Sequence, residues 1–209
     1  NLYSPLPFKA ETHEKDPDPK PLVAMIKAFN QSSDADFVNA ASEFLDLKKF
    51  LTHLAVESYL AEYDGILSDF GMNNLYFYRF EKKNLGQFIP KDKDNTFSGA
   101  DYPLFKNVNN NVLVRRCLAV PALKQHFYGE LLRAAEIAGG EWGWMLEEID
   151  KIYAQIAPAA REDTDKECPE GPCSLEESNK AFEATYSWMR VVIKGRGMEV
   201  VKQLNAAGW

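Results

Sequence analysis

No glycine occurs before Gly65. A loop that cradles phosphates with backbone N–H groups uses glycine to bring the main chain close to the ligand, so the segment ahead of Gly65 holds no such loop. Histidine appears only as His13, His53 and His126, too scattered for a histidine-based zinc site or for a nucleophile–histidine pair. A Gly-x-Ser-x-Gly turn is absent, and Gly195-Arg196-Gly197 lacks the third glycine and preceding strand of a dinucleotide fingerprint. No apolar run approaches the roughly 18 residues of a membrane-spanning helix. Basic residues are outnumbered, 24 Lys and Arg against 31 Asp and Glu, and the net charge of -7 argues against a nucleic-acid or anionic-lipid surface. The chain opens on Asn1 with no basic and apolar leader, which reads as a polypeptide cut from something longer. There is no internal repeat.

Cysteine is nearly as scarce, and its three copies divide unevenly. Cys168-Pro-Glu-Gly-Pro-Cys173 lies in a polar, turn-rich segment where the two thiols could close a small ring, a hint of an oxidising compartment. Two free thiols are the alternative; a metal has too few soft ligands nearby. Cys117, among Val114, Leu118 and Val120, reads as a small core residue. Asn30-Gln31-Ser32 fits the glycosylation sequon, a pattern with meaning only in a eukaryotic secreted protein.

What is present is mostly helical. With 209 residues and 45% hydrophobic content the chain can bury the core of one domain. Residues 1–20, with four prolines and mixed charge, predict an extended arm; residues 21–209 are the body. Pro21 opens a short helix to Phe29, a second piece runs from Phe37 to Leu45, and Asp46 caps a central helix on Leu47, Phe50, Leu51 and Leu54. Gly65 is placed to end that helix, which puts the Asp64 carboxylate at its last carbonyls, where the helix dipole disfavours it. From Asn109 onward the periodicity is helical: Val112–Leu118, a stripe opened by Pro121 and closed by Gly139-Gly140, a run from Trp142 to Ile156, and a long helix behind a Ser174–Glu177 capping box that Gly195-Arg196-Gly197 interrupts.

The centre of interest runs from Tyr63-Asp64-Gly65 to Asn95-Thr96-Phe97. Asn74 to Phe80 is aromatic and free of Gly and Pro, which favours a strand; Gly86 to Pro90 is a shorter one, and Glu81 to Leu85 the turn between them. Pairing about that turn brings Asp92 within one or two positions of Asn74, and side chains opposed across a ribbon stand about 5 Å apart. With Asp64 delivered to the same place, an amide oxygen and carboxylates could share a hard cation such as magnesium, which keeps water and phosphate in its other positions. Equally, Asn74 and Asp92 would serve as polar hairpin ends bonding their own backbone. Asp92 to Thr96 begins like a calcium loop, but Phe97 stands where glycine is needed. A glycosidase-type use of Asp64 with Asp92 is geometrically open and leaves the Asn pair unexplained.

Asp64-Gly65, then Asn73-Asn74-Leu75-Tyr76-Phe77-Tyr78, then Phe88 to Phe97 with Pro90-Lys91-Asp92, resemble the signature of the CotH-type spore-coat kinases over roughly residues 37–205. The position before the metal-binding Asp, a Trp in the family, is Lys91 here. The resemblance implies an α+β, predominantly helical carboxy-terminal lobe of an atypical protein-kinase-like fold with a β-hairpin, residues 74–90, at its active site. It implies transfer of the γ-phosphoryl of ATP to a protein hydroxyl, with Asp64 as the catalytic Asp and Asn74 and Asp92 holding magnesium. The protein substrate would be a surface or coat protein and the location extracellular or coat-associated. An amino-terminal lobe or partner chain would supply the phosphate-gripping parts. The alternative from another class is a secreted or surface binding module that keeps the lobe without catalysis.

Overall fold

A computed structural model describes residues 8–168 and 171–209 of the chain. It is an α+β protein, 57% helical, with one small sheet among the described residues. The elements are α1 (Lys20–Gln31), α2 (Phe37–Ser42), α3 (Leu47–Tyr59), β1 (Leu75–Arg79), β2 (Gly86–Pro90), α4 (Val112–Ala119), α5 (Pro121–Ala138), α6 (Trp144–Glu162) and α7 (Leu175–Ala206). No helix among the described residues is long and apolar enough to cross a membrane. Of the expected arm, residues 1–7 lie outside the described residues, and 8–19 run as irregular chain with one turn, Asp16 N–H to His13 O at 3.0 Å.

The chain gathers into two compact units. The first takes residues up to Leu54, Tyr63–Asp94 and Phe105–Phe127. Its helices bury residues one turn apart, Met25 with Phe29 on α1 and Phe37 with Ala41 on α2, as the 3.6-residue period requires. Arg116 on α4 ties α1 down by donating to the carbonyls of Phe29, Ser32 and Ser33, so it satisfies acceptors that the end of a helix leaves bare. Its guanidinium also lies 4.4 Å from the Phe37 ring centre. Asp46 does cap α3, its Oδ1 accepting from the N–H groups of Lys48 and Lys49 at 3.1 Å each.

β1 and β2 pair antiparallel in the register Leu75 to Pro90, Phe77 to Phe88 and Arg79 to Gly86. Phe77 and Phe88 pack with ring centres 5.2 Å apart, and Phe88 meets Phe50 of α3 at 5.7 Å, which fixes the ribbon to the helix. Gly86 is required there: a Cβ would stand 2.4 Å from the Phe77 ring and 2.8 Å from the Tyr78 carbonyl, and the Gly86 N–H is spent on the Phe44 carbonyl at 2.7 Å.

The second unit takes Ala55–Glu62, Asn95–Leu104 and Tyr128–Trp209. Here α6 and α7 pair through a stack in which the Tyr153 and Tyr186 ring centres lie 3.7 Å apart and Phe182 stacks on Tyr153 at 5.5 Å. The tyrosine hydroxyls cross over to carboxylates on the opposite helix, Tyr153 to Glu183 and Tyr186 to Asp150, and Arg161 and Arg190 pair with those same carboxylates. The Ser174 capping box is formed at the start of α7.

Two expectations are corrected in this unit. The helix expected from Trp142 begins only at Trp144, because Gly139 and Gly140 both take positive φ and the chain passes so close to α5 that a Cβ on Gly143 would stand 1.9 Å from the Ala138 carbonyl. And α7 is continuous through Gly195-Arg196-Gly197. Gly195 serves close approach, since a Cβ there would meet that of Ala100 at 3.1 Å. The next residue, Arg196, lies in the core, 1% exposed.

Cys168 and Cys173 are bonded to one another. Cys117 is fully buried on α4, and burial pushes its thiol up to about 12, so it is a core residue without nucleophilic use.

Candidate active site

The route into the site starts where α3 stops. The helix does not run on to Gly65; it ends at Tyr59, and Ala61 takes the left-handed conformation at φ 54°. The Ala61 N–H then bonds the Ser58 carbonyl and the Glu62 N–H the Glu57 carbonyl, the paired closure of a Schellman turn. Glycine is the usual residue there; alanine is used here at a position with no solvent exposure. The dipole argument made for Asp64 from its expected position therefore does not apply: it lies three residues past this cap.

Arg196 completes the helix end. Its Nε donates to the Tyr59 carbonyl at 2.8 Å, Nη2 to that of Ser58 at 2.6 Å, and Nη1 to those of Ala100 and Tyr102 at 2.7 Å each. Burial lowers its pKa to about 10. Cationic charge at the negative end of a helix dipole, spread over four backbone acceptors, offsets that burial.

Past the cap, the Gly65 carbonyl accepts the Asn73 N–H at 3.1 Å, so the intervening residues form a closed loop. The ends of that loop carry the site. Asn73 Nδ2 donates to Asp64 Oδ1 and Asn74 Nδ2 to Asp64 Oδ2, both at 2.9 Å, which holds the carboxylate plane in one orientation with each oxygen engaged. Asn74 so turned points its amide oxygen away from Asp64. That oxygen accepts none of the described hydrogen bonds, as a cation ligand would require.

The loop itself is pinned. Lys106 Nζ and Asn107 Nδ2 donate to the two oxygens of Asp69 at 2.8 and 2.7 Å, Asn107 also reaches the Leu67 carbonyl at 3.0 Å, and the Ser68 hydroxyl takes the Phe70 N–H. Those contacts, Lys106 first, hold the Asp69 carboxyl below its ordinary range.

Asp92 sits across the ribbon. The Lys91 N–H bonds the Asn74 carbonyl at 2.9 Å, so the register continues one step beyond the strands and Asp92 falls opposite Asn73. Strict alternation would turn the side chains of Asn74 and Asp92 to opposite faces. Both residues break it, with φ 51° and 52° in the left-handed region that Asn and Asp tolerate best among non-glycine residues. Asp92 is exposed and makes no hydrogen bond to Asp64 or Asn74 among the described residues. Lys91 places its Nζ 5.0 Å from the Tyr76 ring centre, and its pKa is raised, first by its bond to Tyr76.

So the residues picked from the sequence fall into a directly bonded pair, Asp64 with Asn74, and a neighbour, Asp92, on the adjoining strand end. Sequence reasoning noted the Asn pair and missed Asp69 with Lys106 and Asn107, which fix the loop. The asparagine-rich run Asn107, Asn109, Asn110 and Asn111 was the available signal.

The fold and site together define a mostly helical α+β protein with a carboxylate–amide centre at the open end of a two-stranded ribbon. The chain belongs to the CotH kinase protein family, whose model matches residues 3–200. No curated protein matches the chain.

Proposed function

We propose that this chain is the carboxy-terminal lobe of a CotH-type kinase that moves the γ-phosphoryl of ATP to a protein hydroxyl. Asp64 orients that hydroxyl and accepts its proton. Asn74 and Asp92 hold magnesium, which supplies charge neutralisation between the phosphates when bound. The observation that carries the reading is the double clamp of Asn73 and Asn74 on the Asp64 carboxylate. It fixes a base while leaving the Asn74 amide oxygen to a hard cation, and phosphoryl transfer asks of a protein mainly such positioning. The left-handed backbone at both Asn74 and Asp92 supports it, since such conformations gather at functional sites.

The phosphate-covering loop and gripping lysine belong to an amino-terminal lobe or partner chain, and the substrate is a surface or coat protein. The bonded Cys168 and Cys173 favour an oxidising, extracellular or coat location. Magnesium-dependent ATP binding by the full-length protein, followed calorimetrically, tests the assignment: Asp92→Ala abolishes it, and undiminished binding in that variant removes the metal role.

A second reading, a surface-binding module without catalysis, draws on Lys91 at the position before Asp92 and on the nearly complete exposure of Phe70 and Trp142, at 87% and 94%. Phosphorylation of serine peptides that is lost in Asp64→Asn decides against it.

A further inference from the structure

The first unit contains a groove of about 320 Å³ that none of Asp64, Asn74 and Asp92 lines. Its floor is apolar, with Met25 and Phe29 of α1 and Ile66 of the closed loop all buried. Its exposed rim carries the amides of Asn30 and Asn110 and the carboxylate of Asp69, which Lys106 and Asn107 already hold. An apolar floor with a few polar groups at the lip fits one aliphatic or aromatic side chain, with the lip facing the main chain that carries it.

Three observations give the groove an occupant. Its wall is the loop that presents Asp64: Ile66 through Ser68 line it, Ile66 lies two residues from Asp64, and two Cα–Cα steps span at most about 7.6 Å. The loop is preformed, held by Asn107 on the Leu67 carbonyl, by Asn111 on that of Ile66 and by the Asp69 contacts. And an irregular stretch of this chain already brings an aromatic side chain there, since Phe8 is one of the lining residues. Beside it Phe70, 87% exposed on that otherwise pinned loop, offers an apolar platform with no internal use.

We infer that this groove and Phe70 form the subsite for the acceptor polypeptide, taking an apolar side chain a few residues from the hydroxyl presented to Asp64. The inference rests on the kinase reading for the direction of the peptide and on the groove alone for its affinity. An extended chain advances about 3.3 Å per residue, so an apolar residue two to five positions from the acceptor serine reaches the groove.

The test uses the full-length protein and acetylated, amidated peptides of alanine with one serine and one variable residue, Leu, Phe, Ala or Asp, stepped through the positions on either side. Binding is followed by amide chemical shifts and transfer by phosphate incorporation. Leu and Phe peptides are expected to bind about tenfold or more tightly than Ala, as burial of one large apolar side chain allows, with shifts at residues 66–72 and on α1. Ile26→Glu, which places a carboxylate in the groove from α1, and Phe70→Ser, which removes only an exposed ring, each erase the preference while magnesium-dependent ATP binding stays. Equal binding of Leu and Ala peptides, or shifts elsewhere, overturns the subsite. Tight binding of Leu peptides without phosphate transfer leaves the subsite standing and sinks the kinase reading; transfer without apolar preference does the reverse.

Discussion

Asn74 Nδ2 meets Asp64 Oδ2 at 2.9 Å across ten residues of sequence, and Asn73 closes on the other oxygen of the same carboxylate at the same distance. Two adjacent amides thus turn one carboxylate into a fixed reference point. That arrangement gives the first prediction. If the proposed phosphotransfer holds, Asn73→Ala removes one donor and leaves the Asn74 clamp intact, and kcat is expected to fall by about tenfold while KM for ATP holds, because orientation of a base is felt at the chemical step. On the same proposal Asp64→Asn is expected to lower kcat by about a hundredfold or more, the usual contribution of a positioned acid–base group. A variant that changes only KM contradicts both roles.

The hairpin makes the second prediction. Gly86→Ala forces a methyl into the Phe77 ring and the Tyr78 carbonyl, and the backbone cannot retreat without losing the Gly86 N–H bond to Phe44. Destabilisation of about 1–3 kcal/mol by urea unfolding is expected, together with weaker magnesium-dependent nucleotide binding if the proposed metal role holds, since the ribbon brings the strand ends carrying Asn74 and Asp92 together. Gly71→Ala, at a glycine with nothing within 4 Å of its Cβ, perturbs packing less even though its φ of 94° is strained.

Arg196 is the third. Its guanidinium donates to four backbone carbonyls, two of them at the end of α3. Arg196→Met matches much of the volume and abandons those acceptors in the core, a loss of about 3 kcal/mol or more. Arg196→Lys recovers only a part, because a point charge cannot bridge the fan of carbonyls that a planar guanidinium reaches. Urea midpoints in the order wild type, Lys, Met are expected; equal midpoints for Lys and wild type would contradict the account.

The α6–α7 pair supplies a pH dependence with two flanks. The Glu183 carboxyl is lowered, first by its bond from Tyr153 and then by Arg161, and that of Asp150 is lowered, first by Arg190. A depressed folded-state pKa gives stability present above the ordinary carboxylate value, about 4, and lost as pH falls through the folded value. Tyr153 is raised, first by its bond to Glu183, and Tyr186 is raised, first by burial. Their contribution is complete below about pH 10 and lost as pH rises through the folded values. Tyrosine absorbance titration should show Tyr153 and Tyr186 among the late-titrating phenols, with Tyr59, which burial also raises; Glu183→Gln removes the largest cause at Tyr153, whereas Asp150→Asn leaves Tyr186 raised by burial.

A last expectation concerns thiols. Native protein offers no group to thiol reagents, because Cys168 and Cys173 are bonded and Cys117 is buried with its thiol pushed up to about 12; unfolding without reductant releases one.

Much of this was legible from residue order. Period-3.6 stripes marked the helices, Asp46 and Ser174 announced their caps, and the aromatic run with its turn fixed the ribbon, because each of these signals is local and its cause lies within a few residues. Even the neighbourhood of Asn74 and Asp92 followed from counting through a hairpin. The end of α3 did not follow, since glycine at 65 is the stronger local stop signal and an alanine in a left-handed turn, here fully buried, carries no signal of its own. Nor did the continuity of α7, where Gly195, a residue type that weakens a helix in isolation, packs closely on Ala100.

By itself, then, the sequence determined most of the elements, the ribbon register to within one or two positions, and the residue types of the candidate site. Tertiary structure decided which oxygen of Asp64 each amide holds, that Asn74 and Asp92 leave the pleat, that the Asp69–Lys106–Asn107 contacts pin the loop after Gly65, and, in the other unit, that Arg196 closes the end of α3. The reason is range. Periodicity and capping act over one or two turns of chain, whereas a hydrogen bond from residue 196 to residue 59 depends on distances that no local pattern encodes.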